Sequence, residues 1–282
     1  MGSQLSAAGV DVNQTRSAFS QMQQLNAKYG ELATDAGLAA GGALPPPFGT
    51  AVDVASLGRS LWKGDWGGAL IDVVGFAPLI GDGAKAAKVA NRLNDLRRSL
   101  DVTKSALQRN LNLTKTTAAK YWDDIAKRNR AAYEKAIEAC ATKACRDAKA
   151  SLKGPQYRNT PTDGPNGNWV GERGDSAWQP SNGGPPIQYK NGFPDYSAHS
   201  QGNIDIPMKG NRTSDFDAAT NGMREQLNDP NWRLPRDMTW HHHENGTTMQ
   251  LIPKSIHATG DGASTPHMGG ASLYSGSNAT EF

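Results

Sequence analysis

MTWHHHENGTTMQLIP, residues Met238 to Pro253, reads as two short strands around one turn. Asn245-Gly246 is the strongest kind of short hairpin signal, because a type I′ turn needs positive φ at both central residues. Strands are therefore expected over Met238 to Glu244 and Thr247 to Ile252. In that register Glu244 faces Thr247, His243 faces Thr248, His242 faces Met249, His241 faces Gln250 and Trp240 faces Leu251. Opposed residues share a face and faces alternate along a strand. Trp240, His242, Met249 and Leu251 then lie on one side, with His241, His243 and Gln250 on the other.

The three adjacent histidines belong to a larger concentration. All six histidines lie in the last 84 residues, and five of them, His241, His242, His243, His257 and His267, fall within 27 positions. Because neighbours on a strand diverge, one imidazole can bind a metal while the next addresses a water. After Pro253, Lys254 to His257 reads as a short helix, and His267 comes later in Thr-Pro-His-Met-Gly-Gly. A catalytic metal site needs two or three imidazoles with a position left open. The ten-residue separation of His257 and His267, with Gly260 and Gly262 between them, is not helical spacing. Both reach one ion only if that loop folds back.

Outward from the hairpin the chain changes character. Its 282 residues, 37% hydrophobic and 20% charged, can bury one or two cores, which excludes a fully disordered or fibrous protein. Val12 to about Gly37 carries Phe19, Met22, Leu25, Tyr29 and Leu32 at helical spacing. Short apolar helices joined by Gly-rich turns are expected after Pro45 to Pro47, and Asp82 can cap the next helix. Asp101 to Leu152 has almost no breakers and reads as one or two long helices. At Lys153 the composition turns to Gly, Pro, Asn and Ser. The expected architecture is α+β: a helical region over 1–152, a linker over 153–168 and a small C-terminal domain over 169–282.

Charge divides along the same lines. Residues 1–160 hold 22 Lys and Arg against 14 Asp and Glu, and residues 161–282 hold 8 against 13. The surplus is densest over 101–160, with 13 basic against 6 acidic residues. Such a face can track a phosphate backbone, but a solvated helical surface is the commoner use of Lys and Arg. Cys140 and Cys145 are read as reduced thiols on different faces of one helix, with a bridge across a helix break as the alternative. The longest apolar stretch, Gly68 to Ile80, contains Asp72 and Pro78 and is shorter than the ~18 residues a bilayer span needs. No transmembrane segment is expected, and the N-terminus lacks the pattern of a signal peptide.

Thr239-Trp240-His241-His242-His243, Met249-Gln250-Leu251-Ile252-Pro253, His257, and His267 with Gly269-Gly270 after it together resemble the WHH subgroup of the HNH/endonuclease VII nucleases. Upstream, Gly171-Glu172-Arg173-Gly174-Asp175-Ser176 and Tyr189 to Ser197 resemble the start of that module, so the resemblance covers roughly Asn168 to Gly270. Lys63 to Leu70 and Pro78 to Lys88 more loosely resemble the pre-toxin regions of bacterial polymorphic toxins.

The resemblance implies a ββα-metal fold that hydrolyses phosphodiesters with one divalent ion, Mg²⁺, Mn²⁺, Ni²⁺ or Zn²⁺. It makes His241, His257 and His267 the metal ligands and His242 the general base. The third histidine leaves open an alternative with His242 as ligand and His243 as base. Gln250 stands where the family has a central Asn and is expected to hold the first strand. Arg212, Arg224 and Lys254 are the candidate phosphate contacts, and nothing resembles a base-reading helix. The implied partners are DNA, a cognate immunity protein and a secretion or delivery component. The implied setting is a bacterial effector exported without a signal peptide and acting in the target-cell cytoplasm. Two other classes stay open beside an RNA-cleaving toxin. A structural zinc module needs four closed ligands, and the two cysteines lie far upstream of the histidines. A binding or delivery protein would leave the histidines inert on a polar strand edge.

Overall fold

A computed structural model describes residues 1–23, 83–227, 229, 231–257 and 265–275, with backbone alone over 83–101. The short apolar helices expected after Pro45, the Gly68 to Ile80 stretch, the Asp82 cap and the Lys63 to Leu70 motif lie outside these residues. The α-helices among the described residues are α1 (Gly2–Ala7), α2 (12–23), α3 (Gly83–Ile137), α4 (Lys143–Ala148), α5 (Pro155–Arg158), α6 (Arg212–Leu227) and α7 (Lys254–His257). The strands are β1 (Gly167–Trp169), β2 (Ala177–Pro180), β3 (Ile187–Lys190), β4 (Phe193–Asp195), β5 (Gly202–Asp205), β6 (Met238–His242) and β7 (Thr248–Pro253). The α+β class therefore stands, helical first and, among the described residues, with strands confined to the C-terminal half. Among those residues no helix is long and apolar enough to cross a membrane.

The chain divides into two compact units. One comprises Val12–Asn110 and Thr220–Arg233; in it Phe19, Met22 and Leu107 are buried, and the Asn110 amide donates to Thr15 Oγ1 at 2.9 Å. The other comprises Met1–Asp11, Leu111–Ala219 and Leu234–Phe282, and holds all the strands named above and every histidine. By sequence this second unit carries 17 Lys and Arg against 17 Asp and Glu. The acidic balance of the C-terminal residues is thus offset within their own unit by α3 and the segments after it.

Two antiparallel sheets build this unit, one in the order β1-β2-β3-β4 and one in the order β5-β7-β6. β3 alternates buried and exposed residues, as a strand with one face on a core must. Trp169, Trp178, Ile187, Tyr189, Tyr196 and Ile252 form that core, with Ile256 of α7 against it. Asn191 and Gly192, both at positive φ, link Lys190 to its partner Phe193 in a two-residue turn. Residues of the 153–168 stretch bond to the segment between β1 and β2. Arg173 donates to the Tyr157 and Thr160 carbonyls and to Thr160 Oγ1, and Lys153 pairs with Asp175 at 2.7 Å.

Periodicity locates the long helix correctly, but the cysteines are not free. α3 ends at Ile137 and α4 begins at Lys143, and across that break Cys140 and Cys145 form a disulfide with Cα atoms 5.4 Å apart. An unbroken helix would have pointed the two thiols apart; the break turns them together. Three of the basic residues on that face are met by local pairs, Lys120 with Asp124, Lys127 with Asp123 and Arg130 with Glu134, each one helical turn apart. That favours the solvated surface over a phosphate track.

Candidate functional site

β6 and β7 pair in the expected register, with Trp240 opposite Leu251, His241 opposite Gln250 and His242 opposite Met249. The turn differs. Gly246 alone takes positive φ, at 77°, and its amide donates to the His243 carbonyl at 3.1 Å, so Glu244 and Asn245 occupy the centre of the bend. The Asn245 side chain explains why: its Oδ1 accepts from the Thr247 and Thr248 amides, and its Nδ2 donates to Thr248 Oγ1. A side chain that bonds the backbone ahead of it holds Asn245 at negative φ, against the mirror-image turn. Thr248 Oγ1 then donates to Asp205 of β5, which also pairs with Lys115 of α3 at 2.6 Å.

The histidines separate as strand alternation requires. His241 is buried and meets His257 from α7 and His267 from the segment after it, with one ligand atom of each within 4.8 Å of the others. His257 and His267 are brought together at the residues that flank 258–264: the Thr265 amide donates to the His257 carbonyl at 2.6 Å. Beyond His267, Gly269 and Gly270 run so close to the His242 and His243 carbonyls that a Cβ at either position would overlap them. That close approach explains the Gly-Gly pair. Tyr196, fully buried, sets its ring edge-on to His241 at 4.8 Å between centroids.

Three features fit this triad to a metal ion. First, His267 Nδ1 lies 2.5 Å from the Thr265 carbonyl, which can only accept, so Nδ1 carries the proton and Nε2 the lone pair. Second, that Nε2 lies 3.2 Å from His241 Nδ1, close to the roughly 3.3 Å between two nitrogens bound at ~2.0–2.1 Å to one tetrahedral ion. Third, burial holds all three rings neutral. It pushes His241 far below the usual histidine range, and the repulsion that protonated His267 and His257 would exert adds to the effect. It brings His257 to about 3, and it lowers His267 against the opposing Thr265 carbonyl. Neutral imidazoles present lone pairs, which is what a cation requires.

His242 projects to the other face. Its Nε2 lies 3.3 Å from Asp215 Oδ2, and its ring sits beside Phe216 at 5.7 Å between centroids. His243 stays with the turn, where its Nδ1 accepts from the Asn245 amide and lies 3.2 Å from a Glu244 carboxylate oxygen. Gln250 is buried, and its Oε1 has no hydrogen-bond partner among the described residues. Of the three cationic candidates, Arg212 at the start of α6 lies over Phe216 at 5.1 Å, and its charge contributes to the depression of His257. Lys254 is bound to the Arg236 carbonyl at 2.7 Å. Arg224 is bound to the Trp232 carbonyl and to Asn221, within the other compact unit.

Sequence reading missed Asp215, Tyr196 and the support given by α3, where Trp122 Nε1 donates to the Glu244 carbonyl at 3.2 Å. A lone Asp in a helix's first turn carries no signal of its own. The Asn191-Gly192 pair, by contrast, offered the same hairpin cue as Asn245-Gly246 and would have located β3 and β4.

No curated protein matches the chain. A family model does match residues 230–277, described as a nuclease of the HNH/ENDO VII superfamily with conserved WHH. The matched span takes in Trp240-His241-His242, the whole β6–β7 hairpin and all three convergent histidines. Residues 230–277 therefore form a WHH nuclease domain of the HNH/ENDO VII superfamily, set on a sheet and helix framework that begins well upstream of the match.

Proposed function

We propose that this chain is a toxin nuclease that cuts DNA without sequence preference in competition between bacteria, acting in the cytoplasm of the target cell. The observation that carries the reading is the division of labour on β6. His241 joins a neutral imidazole triad on one face, while His242, on the other, is held beside a carboxylate. His241, His257 and His267 would hold the ion, and an all-imidazole set suits Zn²⁺ or Ni²⁺ better than Mg²⁺. When bound, the ion supplies Lewis-acid polarisation of the phosphate and stabilisation of the leaving oxygen.

His242 accepts the proton of the attacking water, a task suited to a neutral imidazole. The assignment of His241 as ligand and His242 as base is favoured over the shifted one, because the ring of His243 is engaged within its own turn. Arg212 is the favoured phosphate contact, since Lys254 and Arg224 already serve backbone carbonyls. A toxin of this kind requires a cognate immunity protein in its producer and a delivery component for export.

Incubation of the purified chain with supercoiled plasmid, first in EDTA and then with Mg²⁺, Mn²⁺, Ni²⁺ or Zn²⁺, tests the reading. Metal-dependent nicking that is lost in both His241→Ala and His242→Ala is the expected result. Cleavage of structured RNA but not plasmid would reassign the substrate. No cleavage of either by the folded protein would overturn the nuclease activity of this chain.

A further inference from the structure

Asp215 is a carboxylate almost wholly shut away from water, with 2% of its side chain exposed. A buried carboxylate must be met by donors. The Lys209 amide donates to Oδ1 at 2.9 Å and the Gly210 amide to Oδ2 at 3.0 Å. A third group, His242 Nε2, faces Oδ2 at 3.3 Å across 27 residues of sequence. A carboxylate only accepts, so the proton between them belongs to Nε2, and the neutral ring keeps its lone pair on Nδ1. Phe216, the next residue of the same helical turn, packs beside that ring. Two consecutive residues of α6 thus fix both the tautomer and the orientation of His242.

We infer that Asp215 is a positioning residue for proton abstraction, committing His242 to act through Nδ1; the inference rests on the reading of His242 as the base. The water's O–H bond breaks and its proton passes to Nδ1. The hydroxide oxygen bonds to phosphorus, and the P–O bond to the leaving oxygen breaks with its electron pair. The imidazolium that results has its Nε2–H against the negative charge of Asp215, which stabilises it as charge develops.

Nitrogen-15 NMR of the metal-free full chain tests the tautomer directly. His242 is expected to carry its proton on Nε2 with Nδ1 bare, and a proton found on Nδ1 of the neutral ring overturns the inference. Asp215→Asn keeps the size of the side chain but removes the negative charge that holds Nε2–H and stabilises the imidazolium. Its kcat on bis(p-nitrophenyl) phosphate is expected to fall about 10²–10⁴-fold, the usual worth of a positioned base, with KM little changed. The thermal shift produced by Ni²⁺ should persist, since the triad is untouched. His242→Ala separates the two levels of the argument. If it retains wild-type kcat, the assignment of the base fails. If it loses activity while Asp215→Asn retains it, Asp215 has no positioning role and the base stands. Should Asp215→Asn fail to fold, the tautomer measured in the wild-type chain still decides.

Discussion

Trp122 lies in α3, 122 residues before the carbonyl it serves, and its replacement by Ala tests whether that helix belongs to the nuclease framework. Its ring is buried, meets Phe193 edge-on at 5.0 Å between centroids and donates through Nε1 to the Glu244 carbonyl in the hairpin turn. Truncating a buried Trp to Ala typically costs about 3–5 kcal/mol, combining lost transfer energy with the cavity left behind. Trp122→Phe keeps an aromatic edge near Phe193 and removes the donor, so it should cost about 0.5–1.5 kcal/mol. Urea unfolding of the full chain, monitored by far-UV circular dichroism, measures both. A double-mutant cycle with Phe193→Ala should return a coupling of roughly 0.5–1.5 kcal/mol for the ring pair. An unchanged midpoint for Trp122→Ala, or purely additive losses in the cycle, would refute the claim that α3 braces the sheets and the turn.

Gly246→Ala should destabilise the chain by about 1–3 kcal/mol, since a left-handed residue costs ~1–2 kcal/mol and the added Cβ would meet Leu273 Cδ1 at 2.9 Å; an unshifted melting temperature would contradict this. The Ser197 side chain and amide hold the Asp195 carboxyl below its usual pKa. A depressed folded pKa gives stability that is present above the unfolded value of about 3.9 and lost as pH falls through the folded one. Asp195→Asn should therefore lower the melting temperature at pH 6 and lose its difference from wild type in strong acid, and a gap that widened on acidification would have the wrong sign. Ni²⁺ at one hundred times its dissociation constant should stabilise the wild-type chain by about 2.7 kcal/mol. His257→Ala should lose most of that gain in a thermal-shift titration, and a full gain in the variant would remove His257 from the ion.

How far the sequence can be read depends on the range over which each feature is determined. Alternation along β6 and β7 is local, so the register and the divergence of His241 from His242 come from the residues themselves. The turn inside that hairpin departs from the Asn-Gly expectation, because the Asn245 side chain competes for the backbone that the pair would otherwise bend. The cysteine pairing departs for a related reason, since helical periodicity continues past Ile137 although the helix does not.

The amino-acid sequence by itself determined the elements: a long amphipathic helix, the hairpin, the short helix bearing His257 and the Gly-Gly after His267. Local propensity and side-chain period act within a few residues, so these are legible in a string. Only the tertiary structure decided which of them meet. It brought His257 and His267 to His241, with the Thr265 amide bonded back to the His257 carbonyl, set Asp215 beside His242, and put Trp122 under the turn. Those meetings depend on how the sheets and helices share a core, which depends on the volumes and faces of residues far apart in the chain. No spacing along the sequence encodes them.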